Sequence, residues 1–189
     1  ATLKREWVGD SGPTRKLTRD EMLNDVGLLA AAGTETTTRL LGWTGKALAE
    51  NPEQRAELVA DRSLIPNANE EMLRFESPSP VQARYVVHDV EHHGQTVPAG
   101  SIILAITASA NRDERRFPDP DRYDIRRKIE SHVAFGVGIH FCLGAALARP
   151  EGRLARGEGL RRLPPGGLGG EDAVQTPPPT LRAGGTCPV

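Results

Sequence analysis

The chain has 189 residues, 24 of them Lys or Arg and 25 Asp or Glu, which leaves a net charge of −1. So even a balance excludes nucleic acid or an anionic membrane as the main partner, because both demand a clustered basic surface. An apolar fraction of 38 % supports a packed core, while two cysteines, Cys142 and Cys187, can build neither a disulfide framework nor a four-cysteine zinc site.

The stretch from Ala1 to Lys16 has few apolar residues and a turn cluster at Gly9–Pro13. Residues 1–17 therefore read as a flexible lead-in. It lacks an apolar signal core, and no apolar run in the chain approaches the ~20 residues of a membrane span. No membrane partner is expected, and the cytoplasm is the default compartment.

Ordered structure is expected over residues 18–163. Thr18-Arg19-Asp20-Glu21 is a capping box. Apolar or small residues follow at helical spacing (Leu23, Val26, Ala30, Gly33, Leu40, Leu41, Ala47, Leu48), with no proline until Pro52. The spacing predicts one helix over 19–50, about 48 Å long at 1.5 Å per residue. Asn51-Pro52 reads as cap and first-turn proline of a second helix to about Ala60. A third helix is predicted over 67–75, stopped by Ser77-Pro78-Ser79-Pro80. Strands are predicted over 84–90 and 101–107, with turns around Gly94 and Pro98-Ala99-Gly100. Residues 111–127 read as a long ordered loop, and Phe135 to Phe141 as a glycine-containing loop. A helix is predicted from Cys142, cut short after Arg149 by Pro150, Gly152, Gly157 and Gly159, since an interior Pro costs about 3 kcal/mol and each Gly about 1. Residues 164–189, rich in Gly and Pro, read as a poorly ordered tail. The fold class is mainly α with a small β-sheet.

Three places break the rules of their own elements. Ala31-Ala32-Gly33-Thr34-Glu35-Thr36-Thr37-Thr38 puts glycine and a β-branched run inside the long helix. It is either a locally weak helix with a solvated Glu, or a groove in which Gly33 makes room for a ligand and Glu35–Thr36 passes protons. Glu71-Met72-Leu73-Arg74 is an i,i+3 ion pair, worth little on a surface but in need of further partners if covered. Phe135-Gly136-Val137-Gly138-Ile139-His140-Phe141-Cys142-Leu143-Gly144 is a loop that meets a helix at a cysteine. A dinucleotide fingerprint is excluded, because Phe141 stands where its third glycine belongs. A zinc site from His132, His140 and Cys142 lacks a fourth ligand. A nucleophilic cysteine without an evident base, a buried inert cysteine, and a single thiolate ligand to haem iron remain.

Together these segments resemble the cytochrome P450 family of haem-thiolate monooxygenases, in its soluble bacterial form. Phe135-x-x-Gly138-x-His140-x-Cys142-x-Gly144 is similar to its cysteine-ligand loop, and Ala32-Gly33-x-Glu35-Thr36-Thr37 to its oxygen-groove motif. Glu71-x-x-Arg74 is similar to its Glu–Arg helix. Asn111-Arg112-Asp113 and Phe117-Pro118-Asp119-Pro120-Asp121-Arg122-Tyr123 are similar to its meander. The resemblance spans roughly Thr18 to Arg149 and implies the C-terminal portion of that fold.

By resemblance, Cys142 is the axial ligand of haem b (iron protoporphyrin IX). Thr36 and Glu35 are the catalytic alcohol and acid. Ala32 and Gly33 line the groove, Arg84 and His140 hold the propionates, and Phe135, with Gly136 and Gly144, packs about the cysteine. Glu71, Arg74 and Arg122 form a structural salt-bridge network. The implied activity is insertion of one oxygen atom from O2 into a small organic substrate, with NAD(P)H electrons arriving through a ferredoxin-type donor. Family members are about twice as long, so a missing N-terminal half is expected as a further partner. The alternative is a truncated, non-catalytic haem-binding fragment.

Overall fold

In a computed structural model, which describes residues 6–7 and 15–162, helix α1 covers Arg19–Glu50, the span that the periodicity predicts. The capping box closes both ways: Thr18 Oγ1 accepts from the Glu21 amide at 3.3 Å, and Glu21 Oε2 accepts from the Thr18 amide at 2.8 Å. The buried residues of α1 are Leu40, Thr44, Ala47 and Leu48, all in its last third. The tail 164–189, Cys187 and the rest of the lead-in lie outside the described residues. Within the lead-in, β1 (Glu6–Trp7) pairs antiparallel with β2 (Arg15–Lys16), a short ribbon the sequence reading does not contain.

Helix α2 is Pro52–Ala60, with Pro52 in its first turn. Asn51 does not cap it with its side chain, contrary to expectation. Its amide instead turns back and donates to the Ala47 carbonyl at 2.8 Å, satisfying an orphan acceptor at the end of α1. Helix α3 is Ile65–Phe75 and begins two residues earlier than expected. A 3-10 turn over Arg62–Leu64, capped by Asp61, feeds into it, and Pro66 occupies its first turn, where no amide hydrogen is missed.

Four strands stand where two were expected, and one of them, Gln95–Val97, lies in the stretch read as turn. Strand β3 (Gln82–Tyr85) pairs antiparallel with β6 (Ile102–Ala105), Arg84 opposite Ile103. Strand β4 (Val90–His92) forms a separate hairpin with β5 (Gln95–Val97). Its two-residue loop holds His93 and Gly94 at φ 49° and 76°, positive at both central positions as a twisted hairpin turn requires. Thr107 does not end a strand but opens the short helix α4 (Thr107–Ala110), its hydroxyl donating to the Ser79 carbonyl at 2.7 Å.

The loop over 111–127 is ordered because its carbonyls are collected by side chains. Gln54 Nε2 donates to the Tyr123 carbonyl at 2.9 Å and its Oε1 accepts from the Ile125 amide at 2.9 Å. Asn67 Nδ2 donates to the carbonyls of Ile125 at 2.6 Å and Arg127 at 3.1 Å. Tyr123 and Ile125 thereby join Leu40, Ala47, Leu48, Leu58, Ile65, Ala68, Met72, Leu73 and Leu160 in one core.

Helix α5 is Ala145–Arg162 and corrects the sequence reading twice. It starts three residues after Cys142, and it runs through Pro150, Gly152, Gly157 and Gly159. Tertiary packing overrides propensity here. A Cβ at Gly152 would lie 2.3 Å from Asn69 Oδ1 and 3.1 Å from Leu40 Cδ2, so the missing side chain lets α5 seat closely on α1 and α3.

Candidate functional site

Helix α3 carries the buried polar centre. Glu71 and Arg74 are both fully buried and paired twice, Nε to Oε2 at 2.7 Å and Nη2 to Oε1 at 2.8 Å. Arg74 spends its other donors on the carbonyls of Asn111 at 2.9 Å, Pro120 at 2.8 Å and Arg122 at 3.3 Å. Glu71 Oε1 also accepts from the Asp124 amide at 3.0 Å and from Arg127 Nε at 3.1 Å. The second guanidinium of the network is therefore that of Arg127, not of Arg122 as expected. The Arg122 side chain is 68 % exposed and stands 3.8 Å from Asp124; only its carbonyl enters the network. The cause is the alternation of an extended segment. Tyr123, Ile125 and Arg127 face inward, while Arg122 and Arg126 face out.

The cysteine loop hangs from this centre. The Val133 amide donates to Asn111 Oδ1 at 2.8 Å, and the Gly136 amide to the Val133 carbonyl at 2.9 Å. Gly136 sits at φ 71°, and a Cβ there would lie 3.2 Å from the His140 carbonyl oxygen, so glycine alone closes the turn. A 3-10 turn over Gly138–His140 reverses the chain, and the Cys142 amide then donates to the Phe135 carbonyl at 2.8 Å. The Gly144 carbonyl accepts from the amides of Leu147 and Ala148, both at 2.9 Å, as α5 begins. Cys142 is exposed just ahead of that helix, so the buried inert cysteine among the sequence readings does not hold. Gly144 follows it closely: a Cβ there would be 3.9 Å from Cys142 Sγ, an ordinary contact.

A half-buried ion cluster ties this loop to α3 and α5, and sequence reasoning missed it. Glu70 lies 3.3 Å from His132 Nε2, 3.1 Å from Arg149 Nε and 3.9 Å from Arg153. Burial alone would push the Glu70 carboxyl up. The hydrogen bonds from His132 and Arg149, with the charge of Arg149, outweigh it and hold the group below its ordinary value. The Arg149 guanidinium also lies over the Phe135 ring, 4.6 Å from its centroid. The available signal was Glu70 standing one residue before Glu71.

In the groove segment of α1, nothing lies within 4 Å of where a Gly33 Cβ would be, and Ala32 is exposed. Thr36 is partly buried, and its hydroxyl donates to the Ala32 carbonyl at 2.6 Å. Glu35 is exposed and paired with Arg39 at 2.6 Å. Acid and alcohol thus engage different partners in this structure. Thr37 Oγ1 donates to Glu151 Oε2 at 3.4 Å, linking the groove segment to α5. On β3, Arg84 is exposed and donates to its neighbour's carbonyl, that of Ala83, at 2.8 Å.

These residues fit a haem. Cys142 offers one exposed soft sulfur donor at the loop's end, and among the described residues no group of three or more His, Cys, Asp or Glu could hold a bare metal ion. Val137, Ile139, Phe141, Leu143 and Leu147 of the same loop and helix start are all exposed, an apolar rim suited to a flat hydrocarbon macrocycle. Exposed Arg84 and His140 carry donors suited to its carboxylates.

The family model described as Cytochrome P450 matches residues 2–163. The chain is 46 % identical over 150 residues to the cytochrome P450 monooxygenase PikC of Streptomyces venezuelae, covering 79 % of this chain and 36 % of that one. It is 48 % identical over 143 residues to the vitamin D(3) 25-hydroxylase of Pseudonocardia autotrophica, covering 75 % and 36 % respectively. Among solved structures, cytochrome P450 CYP109Q5 from Chondromyces apiculatus superposes with a TM-score of 0.74 at 49 % identity, over 77 % of this chain and 38 % of that one. The chain thus spans little more than a third of the length of these relatives. No helix among the described residues is long and apolar enough to cross a membrane.

Proposed function

The chain belongs to the cytochrome P450 family, and from that premise we propose that it carries the thiolate side and the oxygen groove of a haem-dependent monooxygenase. The observation that carries this reading is the exposed Cys142 thiol at the end of a hydrogen-bonded loop, inside an apolar rim. When bound, haem b supplies an iron centre that activates O2 so that one oxygen atom enters a small organic substrate.

The chain's own residues do the rest. Cys142 Sγ would hold the iron as a thiolate, and the loop amides, turned by Gly136 and followed by Gly144, would steady the sulfur's charge. Phe135 packs beside it; Arg84 and His140 take the propionates. Ala32 and Gly33 leave room over the macrocycle face. Thr36 Oγ1 now donates to the Ala32 carbonyl. Rotation about its χ1 redirects that proton into the groove, and release of Glu35 from Arg39 frees a carboxylate that takes up a proton from solvent and passes it to the hydroxyl. Electrons come from NAD(P)H through a separate ferredoxin-type donor, in the cytoplasm. A further polypeptide segment covers the exposed part of α1, as the remaining length of the relatives suggests. Neither nucleic acid nor membrane takes part.

The second reading, a non-catalytic haem-binding fragment, is favoured by the exposure of Leu143 and Ile139 beside the thiol, since catalysis requires water to be excluded. The test is the reduced, carbon-monoxide-treated spectrum of the haem-loaded chain. A red-shifted, thiolate-type band that Cys142→Ser abolishes is the expected result; survival of the band would overturn the ligand assignment. NAD(P)H-dependent product formation with added redox partners then separates the enzyme from the fragment.

A further inference from the structure

The half-buried cluster at Glu70 includes a histidine whose tautomer the structure fixes. The Ala134 amide donates to His132 Nδ1 at 3.2 Å, so Nδ1 presents a lone pair. The ring proton is then on Nε2, 3.3 Å from Glu70 Oε2, where it is donated. The ring is 3 % exposed, so water cannot replace either bond. It also stacks on Phe135, centroids 5.9 Å apart and planes tilted by 39°. The opposite tautomer would set N–H against N–H at Ala134 and leave Glu70 facing a lone pair.

The Nδ1 bond closes a tight side-chain turn from residue 132 to 134, directly before Phe135. The Phe135 carbonyl is the acceptor for the Cys142 amide. Glu70 is itself held by Arg149 through two contacts of 3.1 Å, and by Arg153, both on α5. One carboxylate of α3 thus selects the histidine tautomer, the histidine sets the turn, and the turn places the carbonyl that orients the cysteine.

We propose that His132 is a positioning residue for the Cys142 sulfur, locked by Glu70 as the Nε2–H tautomer so that its Nδ1 can cap the turn at Ala134. The assignment rests on the reading of Cys142 as haem ligand only for its consequence, not for its geometry. The network around His132 is formed by groups of this chain alone.

Two substitutions in the full 189-residue chain test it. His132→Phe keeps the ring stack and removes both hydrogen bonds. His132→Asn removes the bond to Glu70 but restores an acceptor for the amide two residues on, as Asn does in side-chain turns. Amide hydrogen exchange without haem is the first readout. Loss of one such bond should speed exchange at Ala134 and Cys142 by about tenfold in His132→Phe, and by less than about threefold in His132→Asn. The Leu58 amide, in the core, reports global opening and should not change. The second readout is the share of the reduced carbon-monoxide complex in the thiolate-type band, which should fall in His132→Phe and recover in His132→Asn. Unchanged exchange at Ala134 and Cys142 in His132→Phe, or equal acceleration at Leu58, overturns the proposal. Selective acceleration with no thiolate-type band even in the parent chain supports the positioning role and overturns the haem reading instead.

Discussion

Glu71 accepts four hydrogen bonds in a site closed to solvent: two from Arg74, one from the Asp124 amide and one from Arg127. A buried carboxylate is tolerable only on such terms, because its desolvation must be offset by partners of excellent geometry. The two arginines in and beside this network should therefore behave in opposite ways. Arg127→Ala strips a nearly buried partner and three loop carbonyl contacts, at Pro118, Asp119 and Arg122. Removing one member of a buried pair costs about 3–5 kcal/mol. At about 2–4 °C per kcal/mol for a chain of this size, thermal melting should fall by roughly 6–20 °C. Arg122→Ala removes an exposed side chain and should shift stability by no more than about 0.5 kcal/mol. Circular dichroism melts of the two variants check the contrast; equal effects would contradict the assignment. The pair Glu71–Arg74 was legible from its i,i+3 spacing. The third member was not, because motif similarity pointed to Arg122. The signal that mattered was the period of two through Tyr123, Ile125 and Arg127. Glu35 and Thr36 were legible as an anomaly in a helix, but their present partners, Arg39 and the Ala32 carbonyl, depend on side-chain rotamers that no sequence pattern specifies.

Helix α5 shows how far an element can depart from its own propensities. Its glycines are not equivalent. At Gly152 a methyl group would press into Asn69 and Leu40, whereas at Gly159 nothing lies within 4 Å. Gly159→Ala should therefore stabilise the chain by up to about 1 kcal/mol, the ordinary gain of alanine over glycine inside a helix. Gly152→Ala should destabilise it despite the same gain, because α5 must move away from α1 and α3; overpacking of this kind costs about 1–3 kcal/mol. Urea unfolding of both variants reads the opposite signs. Read as propensity alone, Pro150 and the three glycines at 152, 157 and 159 end this helix too early. The interhelical approach that rescues it is a long-range fact, invisible in local sequence. The same helix is tied to α3 through Glu70, whose carboxyl is held below its ordinary value of 4.5: burial opposes this, and the bonds from His132 and Arg149 prevail. A carboxyl with a depressed folded value lends stability that is complete above its unfolded value and is lost as pH falls through the folded one. Melting temperature should consequently drop as pH falls below 4.5 more steeply in the parent chain than in Glu70→Gln. Parallel pH profiles would show that the cluster adds nothing to the seating of α5.

At the scale of the whole molecule, the core and the apolar surface occupy different ends of α1. Leu40, Ala47 and Leu48 are buried against α2, α3 and α5, while Leu28 is 67 % and Leu29 56 % exposed, with Leu23 and Val26 open as well. The sheet of β3 and β6 adds exposed Tyr85, Ile102 and Leu104, and the cysteine loop adds Ile139 and Leu143. The helix-rich class, the order of elements and the ends of α1 could be read from periodicity and caps, because those are local signals. Which face of each element finds a partner could not, because the apolar spacing of α1 runs unbroken through its covered and uncovered parts alike. Exposed apolar side chains in these numbers drive association in water, at about 25 cal/mol for each Å² removed from solvent. The 189-residue chain, purified alone, should therefore sediment as a concentration-dependent mixture of oligomers. Replacing Leu28 and Leu29 together by Glu places charge on the exposed part of α1 without touching a buried residue. The double variant should shift the distribution toward monomer in sedimentation velocity, and its melting temperature at high dilution should match that of the parent chain. Charged residues at helix-interior positions retain good propensity, so the helix itself should persist by circular dichroism. If the double variant associates as strongly as the parent, the sticking surface lies on the sheet or the cysteine loop. Leu104→Lys and Leu143→Lys would then locate it, each acting on one of those two faces.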